Sequence, residues 1–393
     1  MVNGRSSQNN KYFRYYSCLN GCLNRSRSHH WLSSVVIMFG LCKLLCMPAQ
    51  AEYAISSPRI SGFLNAGLTN NDNKTRYLGY KNSVEFQSDT LLGVQVDSPI
   101  DESIRVSAQG IAKDTSGNFD IDTEWAYVAY TIIPQLEIKA GRLRVPNFLF
   151  SETIHVGASY PWLRPPPEVY NMFQTTRLHG VDFTYSMAFK EATLYLQPYA
   201  GEIHSETNSV TAGTDDFFGM RTRLETPNFE YIASFIHASG FFDITVRSND
   251  TIIMQSVDFG FEMFTLGLAT ELGDYQFLTE FSKNQNTGTS SPDARGWYGT
   301  LVYHTDFYAP YVTLAMRDEE GTAANDLVDL HESQSVSLGI RFDLTPGAEV
   351  TFELQHAEAN NQTSGLFGDP LGLAELPEDN QVNLFSVRFD TVF

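Results

Sequence analysis

From Val336 to Leu344 every second side chain is apolar, and polar or charged residues such as Arg341 stand between them. The same alternation recurs in 347–359 and again in 380–393, at the C-terminus. Successive side chains of a β-strand point to opposite faces, so a period of two is the signature of a strand with two different faces. Each segment therefore predicts a strand with one apolar face and one polar, partly charged face.

The same pattern, with varying clarity, predicts sixteen strands, and the ambiguous segment 252–261 leaves this number uncertain by two. The predicted strands are 59–69, 89–98, 102–113, 121–132, 135–144, 178–187, 190–201, 216–226, 228–238, 262–272, 274–284, 296–305, 308–318, 333–345, 347–359 and 380–393. The links between them are alternately short and long. The long ones are 70–88, 113–120, 145–177, 202–215, 239–261, 285–295, 319–332 and 360–379. Short turns at one end and long loops at the other are typical of a transmembrane β-barrel.

The charged face of these strands cannot form a dry core, because buried unpaired charges are prohibitively costly. Either that face meets water while the apolar face packs on another layer, as in a soluble sandwich, or water fills a barrel whose apolar face meets lipid. Closure leaves no unpaired strand edge in hydrocarbon. The regular segregation of loops by length favours an all-β, transmembrane antiparallel β-barrel of about sixteen strands. The residues expected to face its lumen are Arg105, Arg341, Glu349, Glu353, Arg388 and Asp390.

Aromatic residues gather near the ends of the predicted strands. Examples are Tyr130, Tyr199, Tyr298, Tyr303 and Tyr311. Outer-membrane barrels carry aromatic girdles at both membrane interfaces. As interface girdles these residues are supporting evidence only, because aromatic residues are also good strand formers in general.

Composition and motifs remove several classes of protein. The chain has 46 acidic and 26 basic residues and no basic run, which excludes nucleic acid as its main partner. The longest uncharged apolar stretch, 31–42, is too short for a spanning helix of about 20 residues. The sequence contains no Gly-x-Ser-x-Gly, Gly-x-x-x-x-Gly-Lys, His-Glu-x-x-His or Gly-x-Gly-x-x-Gly motif. We expect neither enzymatic activity, nor a cofactor, nor a metal site.

Residues 1–51 are interpreted as an N-terminal extension and signal peptide, and 52–393 as the barrel domain. Basic residues precede the apolar run, and Pro48 and the Ala-x-Ala site at 49–51 follow it, which predicts cleavage after Ala51. A single N-terminal anchor and lipid attachment at Cys46 are the alternatives. Since all four cysteines lie before the cleavage site, the exported chain would contain none.

Two regions resemble known outer-membrane proteins. The last strand, with apolar residues at alternate positions and Phe389 and the terminal Phe393, is similar to the C-terminal insertion signal of Gram-negative outer-membrane barrels. The segments 124–130, 140–143 and 159–166 together resemble Gram-negative porins of the phosphate-selective and dicarboxylate-porin-like group. The resemblance implies a water-filled channel for passive diffusion of small hydrophilic solutes or ions. It also implies a homotrimer in the outer membrane, in contact with the lipid bilayer and lipopolysaccharide.

In such porins the long loop after the fifth strand folds into the lumen. In this chain that loop is 145–177. Its prolines and aromatic residues support this, since a loop in solvent needs neither. An external or trimer-contact loop is the alternative. The residues expected at the pore constriction are Arg142, Arg144, Glu152, Trp162, Arg164, Glu168 and Arg177. Their positive balance would attract anions, whereas opposed acids and bases would set a transverse field. By strand parity Arg142 points outward unless Gly141 hosts a bulge.

Two other functions remain open at this stage. A barrel without conductance could act as an adhesin or receptor, and an outer-membrane hydrolase could hold its active site in the lumen. Acidic residues in the long loops, such as Asp72 and Asp318, could bind divalent ions that bridge lipopolysaccharide.

Overall fold

The computed structural model describes residues 57–86, 89–115, 118–173, 177–206, 210–248, 251–289, 291–320, 331–360, 363–368 and 379–393. The expected extension and signal peptide, 1–51, lie outside the described residues together with the cleavage site. None of the helices within the described ranges is long and apolar enough to cross a bilayer.

Sixteen long strands within these ranges form one antiparallel sheet. They are β1 (Arg59–Asn71), β2 (Leu91–Pro99), β3 (Ile104–Thr115), β4 (Asn118–Ile133), β5 (Leu136–Arg144), β6 (Arg177–Ala188), β7 (Thr193–Glu202), β8 (Val210–Glu225), β9 (Phe229–Ser248), β10 (Thr251–Leu272), β11 (Tyr275–Thr287), β12 (Asp293–Tyr303), β13 (Tyr308–Glu320), β14 (Ser333–Thr345), β15 (Ala348–Ala359) and β16 (Gln381–Val392). Each strand pairs with the next in chain order, and β1 also pairs with β16 from Phe63↔Val392 to Asn71↔Leu384. The sheet is therefore a closed barrel, as predicted.

Two short pieces of strand accompany the sixteen. Val84–Glu85 pairs with the end of β1, and His204–Glu206 continues the line of β7 along β8. Neither adds a strand to the ring.

The prediction of a long connection at 239–261 was wrong. β9 has 20 residues and β10 has 22, and their ladder continues to Ser248↔Thr251. The ambiguous segment 252–261 is the first half of β10, not a further strand. The ladder of this hairpin thus continues well beyond the roughly 9–11 residues that cross a bilayer. The predicted connection at 113–120 is likewise mostly strand, with Thr115 opposite Asn118.

The two faces of the barrel differ as the alternation predicts. On β14 and β15 the apolar Leu338 and Leu354 are 56% and 49% exposed, whereas Glu353 is 3% exposed and Ser337 is buried. The apolar side chains thus cover the outside, and the polar ones line the inside.

The tyrosines divide between the two faces. Tyr130, Tyr303 and Tyr308 are exposed on the outside, near the short turns. Tyr199, Tyr298 and Tyr311 are almost fully buried inside and so do not belong to an interface girdle. Tyr298 and Tyr311 donate hydrogen bonds to buried glutamates, which an outward position would not allow.

Candidate functional site

The segment that follows β5, residues 145–173, crosses the inside of the barrel. It contains two 3₁₀ turns and one four-residue helix, α1 (Pro167–Tyr170). The Ser234 hydroxyl of β9 donates to Asn147 Oδ1 at 2.6 Å. The Asn65 amide of β1 donates to the His155 carbonyl at 2.9 Å. Because β1 and β9 stand half the ring apart, these contacts place the segment between opposite walls. We call residues 145–173 the inward segment.

Aromatic side chains pack the middle of the inward segment against β12 and β13. Trp162 is 1% exposed, and its indole N–H lies 2.9 Å from the hydroxyls of both Thr300 and Thr313. Its ring meets the rings of Phe150 and Tyr298 edge-on, with centroids 5.5 and 5.3 Å apart. A buried tryptophan needs a partner for its N–H, and the threonine pair supplies one.

Glu280 on β11 and Glu353 on β15 act as buried acceptors for the inward segment. Glu280 accepts hydrogen bonds from the Leu149 backbone N–H at 2.9 Å and from the Tyr170 hydroxyl at 2.6 Å. Glu353 accepts one from the backbone N–H of Leu163 at 3.4 Å. Charged acceptors bind backbone N–H groups strongly in a low-dielectric interior. The two carboxylates therefore hold the main chain of the inward segment in place.

Arg164 ties the inward segment to the seam where the barrel closes. Its Nη2 donates to Thr69 Oγ1 of β1 at 3.0 Å and to Ser386 Oγ of β16 at 2.9 Å, and lies 3.4 Å from Asp89 Oδ2. The guanidinium also stacks on Tyr80, 4.8 Å from the ring centroid. Burial by itself would raise the pKa of Asp89. Arg164 and hydrogen bonds from Thr69 and Tyr80 outweigh it and hold that pKa below its usual value.

A cluster of charges lies where β4, β5 and β6 meet the long connections. Arg144 pairs with Glu124, and Arg177 pairs with Asp122. Arg142 reaches the same Asp122, with 3.4 Å between Nη2 and Oδ1. His155 Nε2 lies 3.5 Å from a Glu124 oxygen, and burial lowers the pKa of His155 against the effect of that carboxylate.

By strand parity, Arg142 was expected to point outward unless Gly141 hosts a bulge. Arg142 stands opposite Ala126 and the exposed His179, in the outward register, and Gly141 before it has a φ of +138°. A glycine adopts such a backbone without strain. The side chain of Arg142 reaches the carboxylate of Asp122 from this irregular position.

Glu152 is the exposed partner of a buried arginine on the barrel wall. Its side chain is 52% exposed, and Oε2 lies 3.8 Å from Nη1 of Arg221 on β8. On β3 the Arg105 side chain is 37% exposed and lies 3.1 Å from the Glu137 carboxylate. The charged groups of Arg105 and Lys139 both lie over the ring of Tyr127. Solvent therefore reaches charged side chains between the inward segment and the strands on this side.

The six residues expected to face the lumen all lie on the polar face. Arg105 pairs with Asp97 and Glu137, and Arg341 lies 3.4 Å from Glu349. Arg388 Nε donates to Asp390 Oδ1 at 2.7 Å, and Nη2 of Arg388 lies 3.4 Å from the Trp162 carbonyl. Glu353 is the acceptor described above.

The structure separates the seven expected constriction residues by environment. Trp162 and Glu168 are 1% and 0% exposed, so neither lines an open passage, which corrects the expectation for these two. Burial raises the pKa of Glu168. Arg164 anchors the inward segment, and Arg142, Arg144 and Arg177 belong to the cluster beside β4. The Glu152 side chain is 52% exposed and lies 3.8 Å from Arg221.

Sequence reasoning missed four residues that matter here. Asp89 lies just before β2, outside any strand whose periodicity could place it, whereas Arg317 stands on the polar face of β13. Lys139 and Arg221 stand at alternate positions of clear strands, so their parity could have placed them on the polar face.

A cavity of about 620 Å³ lies at the long-connection end, above the inward segment. The residues lining it come from that segment and from the ends of several strands and connections. Beside it, segments 72–86 and 363–368 fold together, with Tyr77 packed edge-on against Phe367 at 5.3 Å. The C-terminal Phe393 is 69% exposed, and its backbone N–H donates to the Gly62 carbonyl at 2.9 Å. Phe389 stands on the outward register of β16, opposite Ala66.

No family model and no curated protein matches this chain. The fold, however, is similar to solved outer-membrane proteins. One is the trimer form of OmpT of Vibrio cholerae folded in vitro (12% identity, TM-score 0.57, 86% of this chain and 99% of that one). Another is the outer-membrane channel DcaP of Acinetobacter baumannii (10% identity, TM-score 0.56, 86% of this chain and 97% of that one). A third is an anion-selective porin from Comamonas acidovorans (12% identity, TM-score 0.55, 86% of this chain and 99% of that one). The chain thus has the closed sixteen-stranded barrel fold found in outer-membrane proteins.

Proposed function

We propose that the protein is an outer-membrane porin through which small hydrophilic solutes or ions diffuse passively. The proposal rests on the arrangement of the barrel, which has an apolar outer face, a charged inner face, and an inward segment that leaves solvent-exposed charges on one side. Glu152, Arg105 and Glu137 keep water contact inside the ring. A soluble protein would bury its apolar face, and a solid plug would exclude water from these charges.

The membrane and its lipids are the proposed surroundings. Exposed leucines and phenylalanines on the outer face suit hydrocarbon, and strand closure leaves no edge unpaired in it. The signal peptide proposed for residues 1–51 would export the chain to a Gram-negative outer membrane, where lipopolysaccharide would surround the long connections. A homotrimer is proposed because the Vibrio cholerae protein of similar fold forms a trimer. Membership of the phosphate-selective and dicarboxylate-porin-like group remains part of the proposal.

The narrowest part of the proposed channel lies between the inward segment and β3 to β8. The exposed Glu152 stands on one side, and positive charge on the other side comes from Lys139 and from Arg221, which is buried beneath the wall surface. Opposed charges in a narrow aqueous passage create a transverse field that orders ions and dipolar solutes. Residues 142, 144, 164 and 177 contribute positive charge near the entrance.

Reconstitution of the exported chain in a planar bilayer under a salt gradient tests the proposal. We expect stepwise single-channel currents, and the sign of the reversal potential gives the ion preference. Bilayers that show inserted protein but no current steps would reject the porin function and favour a non-conducting adhesin or receptor. Among the described residues, no group of three His, Cys, Asp or Glu side chains is placed to hold a metal ion.

A further inference from the structure

The cavity at the long-connection end has a charge opposite to that of the protein. Its lining includes Lys113, Arg144, Arg164, Arg317 and His331, and no acidic side chain of the described residues lines it. The whole chain carries a net charge of −20. The lining therefore presents cationic hydrogen-bond donors, and not acceptors, to a bound molecule.

Acidic residues stand behind these cations and hold them in position. Glu124 pairs with Arg144, Asp89 with Arg164, and Glu319 with Arg317. These carboxylates are buried, and they occupy only part of each guanidinium. The arrangement fixes the cations without filling the cavity.

The arginines retain unused hydrogen-bond donors. Within the described part of the chain, Nε and Nη1 of Arg144, Nε and Nη1 of Arg164, and Nε of Arg317 are buried without a hydrogen-bond partner. The Arg144 side chain is 4% exposed. One of these atoms, Nη1 of Arg164, lies 3.8 Å from Glu353 Oε1. Buried donors are nearly always satisfied, so water or an anionic ligand in the cavity would supply the acceptors for the others.

Aromatic rings form the remaining wall. Phe148, Tyr170 and Phe173 of the inward segment line the cavity on one side, and Tyr80 and Phe367 line it on the other. Phe148 and Tyr170 stack on each other with centroids 4.6 Å apart, and Phe173 stacks on Phe261 at 5.7 Å. A site for a free inorganic anion needs no such apolar wall.

We propose that this cavity binds a small organic anion in which a carboxylate, sulfonate or phosphate is attached to an aromatic ring. The anionic group accepts hydrogen bonds from the arginines, and the ring lies against the phenylalanines. The cavity stands at the mouth of the proposed channel, so the inference rests on the porin function and names the solute class that the mouth concentrates.

The test uses the full barrel folded in detergent micelles and titration calorimetry with three probes. These are benzenesulfonate, methanesulfonate as the same anion without a ring, and benzyltrimethylammonium as the ring with a positive charge. We expect benzenesulfonate to bind about tenfold more tightly than methanesulfonate, because the ring adds aromatic contacts and buried apolar area to the same anionic group. Benzyltrimethylammonium should not bind. Equal affinity for the two sulfonates, or tighter binding of the cation, would overturn the proposal.

Variants assign the binding to the cavity. Arg317→Gln should weaken benzenesulfonate about tenfold, the effect of losing a charge-assisted hydrogen bond. Arg295→Gln is the matched control, because Arg295 loses the same charge but pairs with Asp318 and does not line the cavity. Phe173→Leu should weaken benzenesulfonate and leave methanesulfonate unchanged. If Arg317→Gln does not fold, the exposed Lys113→Gln replaces it, with a smaller expected loss. Identical affinities in the cavity variants and in Arg295→Gln would contradict the site.

Current recordings separate this inference from the porin function. Benzenesulfonate added at the long-connection side should interrupt the open-channel current more often than methanesulfonate does. Channel steps without binding would leave the porin standing and reject the anion site. Binding without channel steps would keep the site and reject the porin.

Discussion

Arg164 and Asp89 meet at the closure of the barrel, with 3.4 Å between Nη2 and Oδ2. The first residue belongs to the segment that crosses the interior, and the second lies just before β2. Through Thr69 and Ser386, the same guanidinium contacts the first and the last strand. The inward segment and the barrel seam therefore stabilise each other.

Replacement of Arg164 by glutamine should destabilise the barrel by about 3–5 kcal/mol, because it leaves the buried Asp89 without its partner. The measurement is urea unfolding in lipid vesicles. Single-channel currents of Arg164→Gln should also be noisier, since the inward segment loses its tie to β1 and β16. A variant with unchanged unfolding and quiet channels would show that the contact contributes little.

Acid should break the ion pair between Arg164 and Asp89. The pKa of Asp89 is lower in the folded protein than in the unfolded chain, so its contribution is fully present above its ordinary value of about 4 and is lost as the pH falls through the lower folded value. Current noise should therefore rise below about pH 4. Asp89→Asn should remove this step in the pH profile. A step of the same size in the variant would assign it to other carboxylates.

Trp162→Phe should cost about 1–3 kcal/mol, because the buried hydroxyls of Thr300 and Thr313 lose the indole donor they share. Thr313→Val should cost less, since the indole N–H keeps its bond to Thr300. The temperature at which the folded band disappears on unboiled gels compares the two. Equal losses in both variants would mean that packing, not the hydrogen bond, holds the ring.

Gly157→Ala should displace the second 3₁₀ turn from β16, because a Cβ at this position would overlap the Asp390 carboxylate. Gly110→Ala is the control, with its nearest atom 3.8 Å from the added carbon. We expect a lower unfolding temperature and an altered conductance for Gly157→Ala only. Matching behaviour of the two variants would contradict the close approach.

Glu152→Gln and Arg221→Gln should shift the reversal potential in opposite directions. Loss of Glu152 leaves the basic wall unopposed and favours anions, whereas loss of Arg221 favours cations. Neutralising Arg177 together with Arg164 should also shift it towards cations. Reversal potentials that stay at the wild-type value would show that these charges are structural and do not face the ion path.

The barrel could be predicted from the sequence because its determinants are local. Period-two alternation shows each strand and its two faces, and short turns between strands indicate antiparallel neighbours. The strands around Val336 and Val387 could therefore be predicted without tertiary information. The same rule failed at 239–261, because the composition of a long connection does not show how far a ladder continues past the membrane.

What only the tertiary structure decided is which loop residues are buried and which meet water. Trp162, Glu168 and Arg164 read alike as loop residues, yet one fills an aromatic cluster, one is a buried carboxyl, and one ties the barrel seam. The partners of Trp162 and Arg164, such as Thr300 and Ser386, lie more than a hundred residues away in sequence. Alternation reports the environment of a strand residue, because the pleat places its side chain. A loop has no such repeat, so the burial of its side chains depends on distant strands that only the closed barrel brings near.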